Sequence, residues 1–185
     1  MPLSNQQIER YSRQIIVEGV GGIAQERLLG SRVALVGSNA DVERALRYLV
    51  GAGVGAILLN LDDATSCGRL IDDARVANAD VAVVSDTVPH DLDLLFAVIG
   101  SAEALRLAES HAREHRGVPK VWVRLDAPER IAILRNPTCC YQCTNPSLIA
   151  PFRVRGEDAG SVTMVATTEA IKLLMADQAQ GSRLI

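Results

Sequence analysis

Three groups of residues in this sequence have types and spacings that can do chemistry. The first is a turn. The apolar run Val33 to Val36 ends at Gly37, and Gly37-Ser38-Asn39-Ala40-Asp41-Val42 leads into a helical pattern. A glycine-rich strand-to-helix turn cradles phosphate because glycine lets the backbone approach and the helix N-terminus supplies free N–H groups and a partial positive charge. The usual spacing is G-x-G-x-x-G. Here only Gly37 stands, and Asp41 brings a carboxylate that can cap the same N–H groups and compete for them. The second group is Cys140-Tyr141-Gln142-Cys143, half of a four-thiolate zinc site. Cys139 would point away from Cys140 in an extended loop, Cys67 is far off in sequence, and no cysteine follows Cys143. Free thiols are the expectation, with zinc on Cys140 and Cys143 the alternative. A redox Cys-x-x-Cys opens a helix, whereas Thr144-Asn145-Pro146 reads as a turn. The third group is His111 and His115, spaced i, i+4 on a predicted helix. Two ligands do not close a metal site, so among "REHR" they read as solvated helix residues. No Ser-His-Asp order or carboxylate pair stands out.

The elements that position these groups follow from hydrophobic periodicity. Ser4 and Gln7 have capping-box spacing, and Ile8, Tyr11, Ile15 and Ile16 then recur at helical intervals. "IAQERLLG" reads as a second helix ending at Gly30. Residues 32–37 form the first strand, 41–50 a helix with Val42, Ala45, Leu46 and Leu49 inward, and 56–61 the second strand. "RLIDDARVA" is a helix, "DVAVVS" and "LLFAVIGS" are strands, and "AEALRLAESHAREHR" is a long helix. "KVWVRLD" and "IAIL" are further strands, and "SVTMVATTEAIKLLMADQ" is a closing helix. Strands alternating with helices predict an α/β, doubly wound, mostly parallel Rossmann-like sheet with helices on both faces. One domain over 1–185 is expected, with N-terminal helices in 1–30, the sheet and its helices in 31–176 and a tail in 177–185.

Composition agrees. With 48% hydrophobic but only 3% aromatic residues, Val, Leu, Ile and Ala do the packing, as suits a buried parallel sheet. A net charge of −3 argues against nucleic acid, which selects a basic surface. All but two of the 19 basic residues are arginine; the lysines are Lys120 and Lys172. No apolar run approaches ~18 residues, and "MPLSNQQIER" has no signal-like hydrophobic region. A cytoplasmic protein without a membrane partner is therefore expected, with its cysteines reduced.

Several stretches in order resemble one family, the ThiF/MoeB/HesA-type adenylyltransferases related to ubiquitin-activating enzymes. "ERYSRQI" is similar to that family's N-terminal helix motif, and "RVALVGSNADVERALRYLVGAGVGAILLNLDD" to its nucleotide-binding strand, helix and strand. "AEALRLAESHAREHRGVPKVWV" resembles the helix and strand after its catalytic turn, "CCYQCTNP" its first zinc-binding Cys-x-x-Cys, and "EAIKLL" its final helix. The resemblance implies ATP- and magnesium-dependent adenylation of the C-terminal glycine of a ubiquitin-like or sulfur-carrier protein. It also implies a dimer in which an N-terminal arginine, Arg10 or Arg13, reaches the partner's nucleotide.

The residues that would carry that activity are largely replaced. The family's Asp-x-Asp after the second strand falls on Asn60 and Asp62, so Asn60 offers ribose a hydrogen bond without charge. Only 17 residues, 63–79, separate Asp62 from Asp80. The family's phosphate-gripping Asn, Arg-Gln and lysine have no room there. Arg69 is a cation offered in place of that lysine, and a guanidinium does not substitute for a compact ammonium. The magnesium-binding aspartate falls on Ser101, a poor ligand for a hard cation. No cysteine stands in "FRVRGEDAGSV", where the family's loop cysteine would lie. The expectation is a shortened, degenerate member that has lost adenylation. It would act as a dimeric non-catalytic partner or scaffold, as homodimer or as the inactive half of a heterodimeric activating enzyme. Two alternatives stay open. One is a reduced but active adenylyltransferase; the other is a binder of another nucleoside-type ligand in a crevice lined by Gly37, Asn39, Asn60, Asp62 and Ser101.

Overall fold

The strands Arg32–Gly37 (β1), Ala56–Leu61 (β2), Ala82–Val84 (β3), Leu94–Ile99 (β4) and Lys120–Arg124 (β5) pair in parallel in the order β3-β2-β1-β4-β5. Two antiparallel strands, Ile131–Arg135 (β6) and Phe152–Arg153 (β7), extend the β5 edge. The structure is a computed structural model and describes residues 2–85, 91–125, 131–135, 152–153 and 159–176. Every residue of β4, and all of β1 after Arg32, is buried. Central parallel strands covered on both faces are written as continuous apolar runs rather than alternations, which is why both were legible.

Three helices cover one face: Asn39–Ala52 (α4), Cys67–Ala77 (α5) and Ala159–Met175 (α7). They bring Val42, Leu46, Leu49, Leu70 and Val162 against Leu35, Ile57, Leu59 and Phe96. On the other face Ala102–Glu114 (α6) packs Ala108 and Ala112 against Ala34, Val36, Ala97 and Trp122. The chain is therefore an α/β, doubly wound sheet with helices on both faces. No helix among the described residues is long and apolar enough to cross a membrane.

The N-terminal segment departs from the expected single amphipathic helix. The capping box forms, with Gln7 N–H donating to Ser4 Oγ (3.2 Å) and Ser4 N–H to Gln7 Oε1 (3.0 Å). The helix breaks at Tyr11, however, giving Asn5–Arg10 (α1) and Ser12–Ile15 (α2) before Gly21–Gly30 (α3). Ile8 and Ile16 are exposed and Tyr11 is buried. Tyr11 is the anchor: its hydroxyl donates to Asp80 Oδ2 (3.2 Å) and accepts from Asn78 Nδ2 (2.9 Å). Burial, then the neighbouring Asp80 carboxylate, push its pKa up, partly offset by the Asn78 hydrogen bond. Its ring lies over Gly53, the left-handed residue (φ 86°) that ends α4. A Cβ there would stand 2.7 Å from the ring, so Gly53 is needed both for its backbone conformation and for the space it leaves.

Candidate functional site

In the order β3-β2-β1-β4-β5, the connection from β1 leaves to one face of the sheet and that from β4 to the other. A crevice opens between them at the carboxyl ends, the place where doubly wound proteins bind ligands. Gly37 ends β1 there. A Cβ on it would lie 2.0 Å from the Val98 carbonyl oxygen of β4, so the two strand ends approach as closely as only glycine allows. Ser38 then caps α4 in extended conformation, its N–H donating to that same carbonyl (3.2 Å).

Three strand ends converge on one oxygen. Ser38 Oγ, after β1, donates to Asp62 Oδ2 (3.0 Å), and Ser101 Oγ, after β4, donates to the same atom (2.7 Å). Asp62 follows β2, and its N–H donates to the Gly37 carbonyl (3.1 Å). Ser101 Oγ also accepts from Ala104 N–H (3.0 Å), capping α6. Hydroxyl-to-carboxylate bonds are short and strong, so the serines hold the Asp62 carboxylate across the crevice. Asp41 occupies the first turn of α4. The chain following β4 also abuts this turn: a Cβ on Gly100 would lie 2.9 Å from Asp41 Oδ2 and 3.0 Å from Ser38 Oγ. The α4 N-terminus thus faces two carboxylates.

The predicted residues are placed as follows. Gly37, Asp62 and Ser101 meet at the crevice, and Asn39 is the first residue of α4. Asn60 lies one position before Leu61 on β2, on the α6 face, where Nδ2 stands 2.9 Å from Nε2 of His111. Arg69 is held by Glu43 (2.9 Å) and Asp73 (3.1 Å) on the α4–α5 surface. The Arg69 guanidinium, then that of Arg47, lowers the Glu43 pKa. Arg10 pairs with Asp80 (3.4 Å), just before β3 and so at the end of the sheet opposite the crevice; Arg13 lies on α2. Cys140 and Cys143 lie outside the described residues. A groove lined by Glu43, Leu46, Val50, Leu70, Asp73 and Ala74 runs between α4 and α5, away from the strand ends. Polar groups from three strand ends converge instead at the crevice.

One expectation is overturned. His111 and His115 are not solvated; they are 5% and 8% exposed. The buried residues of α6 are Ala104, Ala108, Glu109, His111 and Ala112, followed by His115 at its cap; the small residues of this recurrence bring the helix close to the sheet and enclose the imidazoles. That alanine spacing was the available signal, obscured by the charges of "REHR". Burial lowers the pKa of His111, opposed by the charge of Glu114. Lys120 is also buried, its ammonium donating to the carbonyls of His115 (3.0 Å), Arg116 (3.3 Å) and Val118 (2.8 Å) after α6.

Comparison with known proteins adds relatives. No family model matches the sequence. The SAMP-activating enzyme E1 of Haloferax volcanii is 28% identical over the whole chain and 83% of its own length. The adenylyltransferase and sulfurtransferase UBA4 of Vanderwaltozyma polyspora is 30% identical over 78% of the chain. The molybdopterin-synthase adenylyltransferase of Salmonella typhimurium is 29% identical over 77% of it. The chain spans only 30% of the UBA4 protein and 51% of the Salmonella one. Among solved structures, Escherichia coli MccB with ATP superposes at a TM-score of 0.66 with 14% identity, over 94% of this chain and 64% of MccB. PaaA gives a TM-score of 0.64 at 15% identity, over 94% of this chain and 76% of PaaA. At such identities the likeness is one of fold.

Proposed function

Because the chain belongs to the ThiF/MoeB-type family of ubiquitin-activating-like proteins, we propose that it has lost adenylation and serves as the non-catalytic half of a dimer. The associated protein would be a ubiquitin-like or sulfur carrier. The observation that carries this reading is the Asp62 carboxylate, bonded to Ser38 and Ser101 across the crevice, with Asp41 beside it in the first turn of α4. A triphosphate placed at this helix terminus would meet two like charges. At 4 Å, each unit-charge pair near a protein surface is worth about 4 kcal/mol. Three donors at this turn are already engaged: both hydroxyls donate to Asp62, and the Ser38 N–H donates to the Val98 carbonyl. Arg69, the cation nearest in role to the missing lysine, is committed to Glu43 and Asp73. The residues present do not fit ATP and magnesium.

What remains suited to function is the surface of the N-terminal segment. Ile8, Ile16, Val17 and Ile23 are exposed there, while Tyr11 and Arg10 tie that segment to the amino end of the sheet. This arrangement favours a role in which a second subunit supplies the chemistry. Calorimetric titration with ATP and magnesium, followed by ATP–pyrophosphate exchange with a carrier protein ending in Gly-Gly, tests the reading. No heat and no exchange are expected, together with a dimeric mass on gel filtration. Saturable ATP binding with carrier-dependent exchange would restore the active alternative.

A further inference from the structure

Helix α6 carries a cluster that the crevice does not use. One ring nitrogen from each of His111 and His115 and a carboxylate oxygen of Glu114 lie within 4.8 Å of one another. The two imidazoles are more than nine-tenths buried and Glu114 is exposed. Nε2 of His111 faces the Asn60 amide at 2.9 Å, which leaves Nδ1. That atom is buried without a hydrogen-bond partner among the described residues, and so is Nε2 of His115. Buried polar atoms in folded proteins are nearly always partnered. Two orphan nitrogens on stacked rings 6.4 Å apart therefore call for a third party.

We propose that His111, Glu114 and His115 bind a divalent transition-metal ion, zinc foremost. Positions i, i+3 and i+4 share one helix face, so the spacing His-x-x-Glu-His presents all three side chains together. Two imidazoles and one carboxylate are a three-ligand zinc set that leaves the fourth position for water. Magnesium and calcium select oxygen-only sets. The cluster occupies the last turn of α6 and its cap, where the helix dipole favours a cation. The Lys120 ammonium nearby is directed at the carbonyls of His115, Arg116 and Val118. Asn60 supplies the outer contact that orients a metal-bound histidine. With a metal on Nδ1, Nε2 carries the proton, and a flip of the Asn60 amide exchanges its nitrogen and oxygen and presents the oxygen to that proton. Exposed Glu114 marks the route of entry. The site is independent of whether the crevice binds ATP.

The test uses the untagged full chain, stripped with chelator and titrated with zinc by calorimetry and with cobalt(II) by absorption. One ion per chain is expected, with cobalt d–d bands and no thiolate charge-transfer band. Glu114→Gln and His115→Gln should each weaken zinc binding at least tenfold, and Asn60→Ala by about 10–100-fold, the usual effect of losing an outer contact. Glu114→Gln alters an exposed side chain, and an unchanged melting curve in chelator establishes that its fold is intact. A Cys140→Ser/Cys143→Ser double variant should bind as before. No saturable binding, binding indifferent to Glu114→Gln, or a thiolate band lost in the double variant would each overturn the assignment.

Discussion

Replacing Ser101 by alanine removes two interactions of one hydroxyl: its bond to Asp62 Oδ2 and its acceptance of the Ala104 N–H at the start of α6. Loss of a serine N-cap costs about 1 kcal/mol. A hydrogen bond to an ionised carboxylate contributes about 1.5–3 kcal/mol, and the half-buried position of this one puts it at the lower end. The variant should lose about 2–3 kcal/mol. At about 2–4 °C per kcal/mol for a chain of this size, that lowers Tm by about 4–12 °C. Ser101→Thr keeps both groups and should stay near wild type. Ser38 makes no side-chain cap bond, so Ser38→Ala should cost only about 1.5 kcal/mol. Because both serines donate to one oxygen, the double alanine variant should depart from additivity by more than about 0.5 kcal/mol. Urea unfolding of the four variants measures all of this. A loss below about 1 kcal/mol for Ser101→Ala would mean that the Asp62-centred bonds contribute too little to hold a carboxylate across the crevice, and the argument for a lost phosphate site would fall with them.

Two further outcomes follow from the same structure. Gly53→Ala places a Cβ at φ 86° and 2.7 Å from the Tyr11 ring; backbone strain alone is about 1–2 kcal/mol. Chemical denaturation should show a larger loss than that, and a smaller one would mean that Tyr11 is not seated there. His111 has its pKa lowered by burial, so the folded chain holds it neutral while the unfolded chain takes up a proton below about 6.5. Its contribution is therefore fully present above that pH and is lost as pH falls toward the lowered value. Melting in chelator from pH 8 to pH 5 should reveal this slope and His111→Gln should flatten it; an unchanged slope would contradict a buried, neutral imidazole.

Local chemistry alone determined much of this protein. The bounds 32–37 and 56–61 of the first two strands were legible because buried parallel strands are continuous apolar runs between turn residues. The Ser4–Gln7 capping box depends only on residues three apart. The lone Gly37 and the aspartate four positions later are likewise legible in the turn itself. Other features belong to the tertiary structure. Ser38, Asp62 and Ser101 are separated by 24 and 39 residues; they share one oxygen only because β1 pairs with β2 on one side and β4 on the other. Tyr11 finds Asn78 and Asp80 across 67 and 69 residues, and reaching them breaks a helix whose periodicity alone would have carried on. His111 and His115 carry the neighbours of a solvated helix end, yet the alanines of α6 let the sheet come close enough to enclose them. Propensity and periodicity act over a few residues, whereas burial and long-range hydrogen bonds are set by which elements the sheet order makes neighbours.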